Sequence, residues 1–498
     1  MNQTVALIGY GAAALNAAIS LRTTGYQGEI QAFSNAGALP YSPMMTASYA
    51  AGACDYQGMF PWDKADLAQL NVQVIADAPV TCLNVQERTI TAGGQEYPYD
   101  LCLIASGAHP VGVDVLAVGA RPVGVGVLAA GAEKATGAEK ATGAFHPLYL
   151  RTLEDARVLH DALTSKNASR ILISGTSMVA LKAVDACLAQ GVEVTLLGRS
   201  EHIMRRTACD EIAEALEDAL REKGVDVRLS QIIEEAQLAE NGQARITFSN
   251  GDVADYSHVL VAHGIVPNLD FVPDGVFTRV ECAQEQGQST GALAAGVALP
   301  ENSAVQGLIA DIATQGIPVN EFMRTSDPYV YAAGDVAQVP NIATGTRTPA
   351  GLWKEACLQG ACAGRAMAAA LAGTQPLAAD AYYGFVPSNT ITVGECVVIS
   401  GGTMEFTQKR WLDVQKHDEC LIAVMYEQGE DVADNATDNA FVDNAADNAG
   451  GSANVNGGEQ LSQPLARIVG YNVFSKNGNP ATSLAYDQAA MLYRQMMA

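Results

Sequence analysis

Basic residues are scarce in this chain. Lys and Arg number 29 against 54 Asp and Glu in 498 residues, for a formal net charge of −25. A surface this acidic repels phosphodiester backbones and anionic lipid headgroups, which excludes nucleic acid and acidic membranes as partners. It suits solubility, or an electropositive redox partner. No apolar run approaches the roughly 18 residues of a membrane span. The N-terminus enters a strand pattern directly, with no basic n-region or cleavage site, so a cytoplasmic protein is expected. The ten cysteines are scattered, with no CxxC pair and no metal-ligand spacing, which predicts reduced thiols and no bound metal. Cys357 and Cys362 are spaced CxxxxC, but in an Ala-rich helical stretch such a pair points to different faces and makes a poor disulfide. No cluster of His, Cys and carboxylates suggests side-chain acid–base chemistry. A chain of this length needs two or three cores.

What is present begins at residues 4–14, TVALIGYGAAA. The apolar run Val5 to Ile8, then Gly9-Tyr10-Gly11-Ala12-Ala13-Ala14, then a helical pattern, is the strand–turn–helix opening of a dinucleotide-binding βαβ unit. Gly9 turns the chain off the strand, Gly11 lets backbone approach a pyrophosphate, and Ala14 is small enough for helix–strand packing. Phosphates would sit on free N–H groups at the helix N-terminus. The helix is expected over about Ala12–Thr24, a second strand at Glu29–Phe33 and a further one at Asp100–Ile104.

A second unit of this kind starts at Arg170, with RILISGTSMVALKAV. Gly175 takes the turn position, Ser177 the close-approach position and Ala180 the packing position. The acidic residue that would hold a ribose 2′-hydroxyl after the strand Val192–Leu197 is absent. Gly198-Arg199-Ser200 stand there, with Arg205 and Arg206 beyond. Cations without a carboxylate favour a 2′-phosphate, hence NADPH over NADH; a decayed unit binding no nicotinamide is the remaining reading. A third landmark is the buried strand pattern Tyr329 to Ala333, ending in Gly334-Asp335 and expected to lead into a helix. The aspartate can bind hydroxyls of a ligand lying across the strand ends.

Three stretches differ in texture. HPVGVDVLAVGA (109–120) is nearly copied at 121–132, and EKATGA occurs at 133–138 and 139–144. Repeats so short cannot each form a packing unit, so 111–145 reads as an inserted surface loop. The Gln/Gly/Ala-rich 281–304 reads likewise. The Asp-Asn-rich 427–463 lacks the Gly and Glu of a calcium loop and reads as a solvated insert.

Two nucleotide units and a Gly-Asp strand end together resemble the FAD-dependent pyridine nucleotide-disulfide oxidoreductase superfamily. The branch without a redox disulfide, which includes ferredoxin reductases and nitrite reductase flavin domains, is the more similar. The resemblance covers about 1–110, 146–280, 305–426 and 464–498. It implies an α/β protein with two Rossmann-like three-layer nucleotide-binding domains and a C-terminal α+β interface domain. The implied FAD domain is discontinuous (1–110 and 270–375), the NAD(P) domain spans 146–269, and the interface domain, through which such proteins dimerise, spans 376–498.

By that resemblance Gly9, Gly11 and Ala14 hold the FAD pyrophosphate, and Val80 presents backbone to the adenine. Ala105-Ser106-Gly107 and Ala262-His263-Gly264, with Pro267-Asn268, are the two family turns. Gly334 and Asp335 face the ribityl chain. Trp353-Lys354-Glu355-Ala356-Cys357-Leu358-Gln359-Gly360 resembles W-x-x-A-x-x-Q-G, a helix start facing the flavin, where a positive helix end would stabilise reduced flavin. Ser34 and Asn35 replace the family's ribose-binding acid. Leu39-Pro40-Tyr41-Ser42-Pro43-Met44 lacks the family arginine and the lysine after it. No cysteine occupies 39–52, so the flavin must act directly, with Tyr49 and Lys354 as candidate neighbours beside Thr46 and Ser48. Glu154 keeps the family glutamate without its lysine partner, or only caps the helix that follows. Lys182 stands where relatives carry glutamate.

Three functions are compatible with these residues. The first is an FAD-dependent NAD(P)H oxidoreductase passing electrons to a protein carrier or small acceptor. The second is an FAD-bearing subunit of a larger complex with a degenerate nicotinamide site, and the third is a flavin dehydrogenase acting on an organic substrate.

Overall fold

The computed structural model describes residues 3–112, 147–165, 168–278, 315–416, 420–428, 466–476 and 489–496. The inserted segments expected within 111–145, 281–304 and 427–463 therefore lie outside the described residues, apart from their first two positions at 111 and 427. Residues 427 and 428 finish a strand, because the Glu427 carboxylate is clasped by Arg410 and Arg467 from the strands on either side. Seven helices are used below: α1 (Ala12–Thr23), α2 (Thr46–Ala50), α3 (Lys64–Gln69), α4 (Leu153–Thr164), α5 (Met178–Ala189), α6 (Asp210–Glu222) and α7 (Trp353–Leu371).

Strands Thr4–Ile8, Glu29–Ser34, Val72–Ala76, Leu101–Ile104 and Val330–Ala332 form a parallel sheet. Their spatial order is 330–332, 101–104, 4–8, 29–34, 72–76. Val5, Leu7, Leu101, Leu103 and Ile104 are all buried, as expected of strands covered on both faces. From the central strand 4–8 the chain works outward to 72–76, then crosses back to 101–104 on the other side. The connections leaving the carboxyl ends of the paired strands 4–8 and 101–104 therefore run in opposite directions, a topological switch point, where such sheets bind ligands.

One face is closed by α1 and α7, which touch backbone to backbone. A Cβ on Gly360 would lie 2.0 Å from the Ala13 carbonyl oxygen, and one on Gly364 would lie 2.5 Å from that of Ala17. The Ala- and Gly-rich texture of both helices is thus a close-packing requirement.

The second parallel sheet repeats the plan with Arg170–Ser174, Glu193–Leu197, Asp226–Arg228 and His258–Val261, in the order 226–228, 193–197, 170–174, 258–261. A two-stranded ribbon, Ala108–Pro110 against Ile265–Pro267, joins the two halves. The C-terminal part is a five-stranded antiparallel sheet in the order 388–393, 396–402, 466–475, 420–428, 410–416. One of its faces shares a core with α5 and α6, through Ile391, Val398 and Phe474; the other is covered by Ala489 and Leu492.

One polar residue fixes this last sheet to the second unit. Asn472 is fully buried; its Oδ1 accepts from the Cys209 N–H at 2.9 Å and its Nδ2 donates to the Thr207 carbonyl at 2.8 Å. Both backbone groups lie at the start of α6. Asn472→Ala strands a buried donor and a half-buried acceptor, so a loss of about 2–3 kcal/mol is expected. Urea unfolding followed by circular dichroism checks it; an unchanged midpoint would refute the anchoring role.

One expectation is corrected. Asp335 does not lead into a helix but into a turn and an antiparallel ribbon, Ala337–Asn341 with Thr346–Thr348, and α7 begins only at Trp353. Ala337, Val339 and Asn341 are buried in strict alternation, a period of two that a helix cannot use.

Candidate functional site

The two glycine turns are built alike, bond for bond. Gly9 N–H donates to Phe33 O at 2.8 Å, and Gly175 N–H to Leu197 O at 2.9 Å. Ala105 N–H donates to Ile8 O, and Ala262 N–H to Ser174 O. Both glycines have positive φ, +99° and +122°. A Cβ on Gly9 would lie 2.3 Å from the Ala105 oxygen, and one on Gly175 would lie 2.4 Å from the Ala262 oxygen. In each unit the glycine lets the first strand and its neighbour across the switch point converge.

Beyond the turns the two sites differ. At α1 the N-cap is Gly11, with no side-chain cap and nothing within 4 Å of where its Cβ would be. The first turn is thus left without a side-chain cap, and the macrodipole adds positive potential there. Ala14 is fully buried beneath, in its packing role. At α5 the N-cap is Ser177, whose Oγ accepts from Ala180 N–H at 3.5 Å and donates to Ala262 O at 3.2 Å. That helix end carries its own weak cap, which a phosphate would have to displace.

Around the first turn, Ser106 and Asn268 stitch the halves together. Ser106 Oγ donates to Asn268 O at 2.7 Å, Asn268 Nδ2 donates to Ser106 O at 2.9 Å, and Asn268 N–H donates to Gly107 O. His109 Nδ1 lies 2.6 Å from Asn268 Oδ1. On the far strand, Gly334 N–H donates to the buried Gln359 Oε1 at 2.8 Å, which ties the Gly-Asp turn to α7. Tyr382 Oη, near Gln359 Nε2, donates to Glu355 Oε2 at 2.7 Å.

Asp335 forms an ion pair with Arg151, whose Nε also reaches the Ala108 carbonyl. Arg151 thus spans the ends of strands 101–104 and 330–332. It escaped the sequence reading, which weighed only the neighbouring Glu154; a cation immediately before a helix start was the available signal. Glu154 itself is exposed and paired with Arg157 on its own helix, and the cap is made by Thr152 and Asp155.

The other expected flavin contacts fall in several places. Ser34 is buried and its Oγ accepts from Ala36 N–H, while Asn35 is exposed. Val80 opens the strand Val80–Asn84, which pairs with Thr89–Ala92. Trp353 is the first residue of α7 and is exposed, with its ring 6.4 Å from that of Trp62, and Lys354 is exposed beside it. Tyr49 is buried instead in the core of the second unit: His160 stacks on its ring at 4.6 Å and Tyr56 meets it edge-on, so its ring is committed to packing. Thr46 Oγ1 donates to the Pro43 carbonyl.

Burial, and then Asp55, push the Cys54 thiol up, and Cys357 and the buried Cys362 are free, the latter pushed up to about 12 by burial.

At the second turn, Arg199, Arg205 and Arg206 are exposed, with no ion pair among the described residues. Most other arginines among the described residues are ion-paired. His263, whose Nε2 is 2.9 Å from Ser174 Oγ, is held below its ordinary range by desolvation and then by Arg199, so it is neutral at pH 7. Gly264, with φ +109°, follows it. Lys182 turns away from the nucleotide side to donate to the Thr392 carbonyl of the C-terminal sheet at 3.4 Å.

Residues 3–290 match the pyridine nucleotide-disulphide oxidoreductase family. Putidaredoxin reductase of Pseudomonas putida is 25% identical over 341 residues, 68% of this chain and 67% of the relative. The NADH-dependent phenylglyoxylate dehydrogenase subunit epsilon of Aromatoleum evansii is 26% identical over 410 residues, 80% of each chain. Among solved structures, an engineered water-forming NADPH oxidase bound to NADPH superposes with a TM-score of 0.70 at 16% identity, covering 99% of this chain and 91% of the other. Its parent is the NADH oxidase of Lactobacillus brevis. The engineered enzyme carries a glycine-to-alanine replacement; eighteen positions on, an aspartate becomes alanine, the next two become arginine and serine, and arginine replaces proline five positions beyond that serine.

Proposed function

Because the chain belongs to the pyridine nucleotide-disulphide oxidoreductase family and is an FAD-dependent NAD(P)H oxidoreductase, we propose that it draws its electrons from NADPH and delivers them to a redox-protein carrier. When bound, FAD would supply the hydride-accepting and electron-releasing chemistry. The chain's own residues bind, orient and exclude water.

The first glycine turn fits FAD: Gly9, Gly11 and the uncapped start of α1 receive the diphosphate, with Ala14 packed below. Gly334, Asp335, Ala105, Ser106 and Gly107 border the path of the ribityl chain, Ser34, Asn35 and Val80 the adenosine end, and Trp353 and Lys354 the ring end. Arg151 neutralises Asp335 until ligand hydroxyls share the carboxylate. Asp335→Ala should therefore weaken FAD binding by about ten- to a hundredfold, the weight of one hydrogen bond to a charged group. Fluorescence titration of apoprotein with FAD measures it; unaltered affinity would remove Asp335 from the site.

The nicotinamide preference rests on one observation. Ala180, Gly198, Arg199, Ser200 and Arg205 stand at the same relative spacing as the five replacements in the engineered NADPH oxidase, four of them with the same residue. Gly175, Ser177, Ala180 and Gly264 would hold the nucleotide's diphosphate side, and the unpaired arginines its 2′-phosphate. Anaerobic stopped-flow mixing tests this: NADPH should bleach the flavin absorbance faster than NADH, with no acceptor present. Faster bleaching by NADH would reject it.

A second reading is favoured by a separate observation. The relative matched over 80% of both chains is a subunit of a larger dehydrogenase, and Ser177 already caps α5. In that case the chain is an FAD-bearing subunit fed by a partner, and flavin reduction would require that partner. Assembly as a homodimer through the C-terminal sheet, and a cytoplasmic setting, complete the proposal. Among the described residues no helix is long and apolar enough to cross a membrane.

A further inference from the structure

We infer that Glu217, a buried carboxylate on α6, is a positioning residue that sets the cationic loop 198–209 for a 2′-phosphate; the inference rests on the NADPH reading above. Glu217 is 4% exposed. Its Oε1 accepts from the Ile203 N–H at 3.0 Å and lies 3.3 Å from His202 Nδ1. Its Oε2 faces Arg221 at 3.6 Å. An apolar side chain would fill this position without the desolvation cost of a carboxylate, so what the acid contributes is the grip on the loop backbone.

That grip has a second point. Met204 N–H donates to the carbonyl of Thr176 at 3.1 Å, and Thr176 is the middle residue of the Gly175-Thr176-Ser177 turn. Met204 takes a left-handed φ of +52°, and Ile203 and Met204 are both buried. Adjacent residues are thus held by two different elements, one by α6 and the next by the glycine turn. Arg205 and Arg206 follow directly, exposed and unpaired among the described residues, and Arg199 and Ser200 precede. The pair of anchors fixes how far the cations stand from the diphosphate-binding turn. Orientation of this kind is lost without it even if the fold survives.

The test uses the FAD-loaded protein with 2′,5′-ADP and 5′-ADP as redox-silent probes, titrated by calorimetry. Glu217→Gln keeps the side-chain length and an oxygen that accepts from Ile203 N–H. Glu217→Asp keeps the charge but withdraws it by one methylene. Glu217→Asp and Glu217→Ala should weaken 2′,5′-ADP about tenfold, with 5′-ADP changed less than twofold, while Glu217→Gln stays within threefold of the unmodified protein. If Glu217→Ala does not fold, the Asp and Gln variants decide alone. Equal weakening of both probes would show a merely structural role and overturn the inference, as would a Gln variant as weak as Asp. Arg205→Ala separates the two levels. If it leaves the preference for 2′,5′-ADP intact, or no preference exists, the 2′-phosphate reading fails and this inference falls with it. If Arg205→Ala is selective and Glu217→Asp is not, only the inference fails.

Discussion

Gly9→Val protein should be colourless and poorly folded, whereas Gly11→Val protein should fold and still fail to hold FAD. The two glycines are one residue apart and do different work. At Gly9 the backbone has φ +99° and a Cβ would sit 2.3 Å from the Ala105 carbonyl oxygen. A branched side chain held in this left-handed conformation costs about 1–3 kcal/mol, and it must also push the central strands apart. A total of about 4 kcal/mol or more is expected, a large part of a typical stability of roughly 5–15 kcal/mol. At Gly11 φ is −90°, which any residue adopts, and no atom lies within 4 Å of the added Cβ. The fold should be within about 0.5 kcal/mol of the unmodified protein. The new methyl groups instead occupy the space before the α1 N–H groups, where the diphosphate must approach. Thermal unfolding and the ratio of flavin to protein absorbance, after incubation with excess FAD, read the two effects separately. A Gly11→Val protein that keeps a full complement of FAD would place the cofactor elsewhere.

Reversing one charge at the second turn should invert the nicotinamide preference. Arg199 is exposed at the end of strand 193–197 and has no carboxylate partner among the described residues. A charge-assisted hydrogen bond to phosphate contributes about 1.5–3 kcal/mol, or about ten- to a hundredfold. Arg199→Glu removes it and adds repulsion, so kcat/KM for NADPH should fall by about a hundredfold or more. NADH has a ribose 2′-hydroxyl that the new carboxylate can accept from, so its kcat/KM should hold or rise. Anaerobic flavin reduction with each nucleotide measures both. Equal loss for the two, or no loss for either, would reject a 2′-phosphate contact at this position.

Both glycine turns were legible because each is a local event: an apolar strand, a residue that must take positive φ, and a helix start lie within a dozen positions. The third landmark was half legible. Its buried strand and Gly334 were read, but the helix expected after Asp335 is a turn and ribbon, because alternation over 337–341 outweighed the helical texture further on. Tyr49 was expected beside the flavin from the family stretch it occupies; what the sequence could not show is that His160, over a hundred residues later, supplies the ring that stacks on it. Lys182 was noted as anomalous, and only its contact with Thr392 explains where the charge goes.

The amino-acid order alone therefore determined the two parallel units, their turns, the lack of a thiol nucleophile in the expected segment, and the arginines in place of an acid. Tertiary structure decided which groups those units hold ready. Arg151 meets Asp335 across 184 positions, Asn268 joins Ser106 across 162, and Asn472 pins the start of α6 across 263. Periodicity and turn chemistry act between near neighbours on the chain. A side chain's partner is chosen by sheet order and helix packing, which bring distant segments together only once the whole chain has folded.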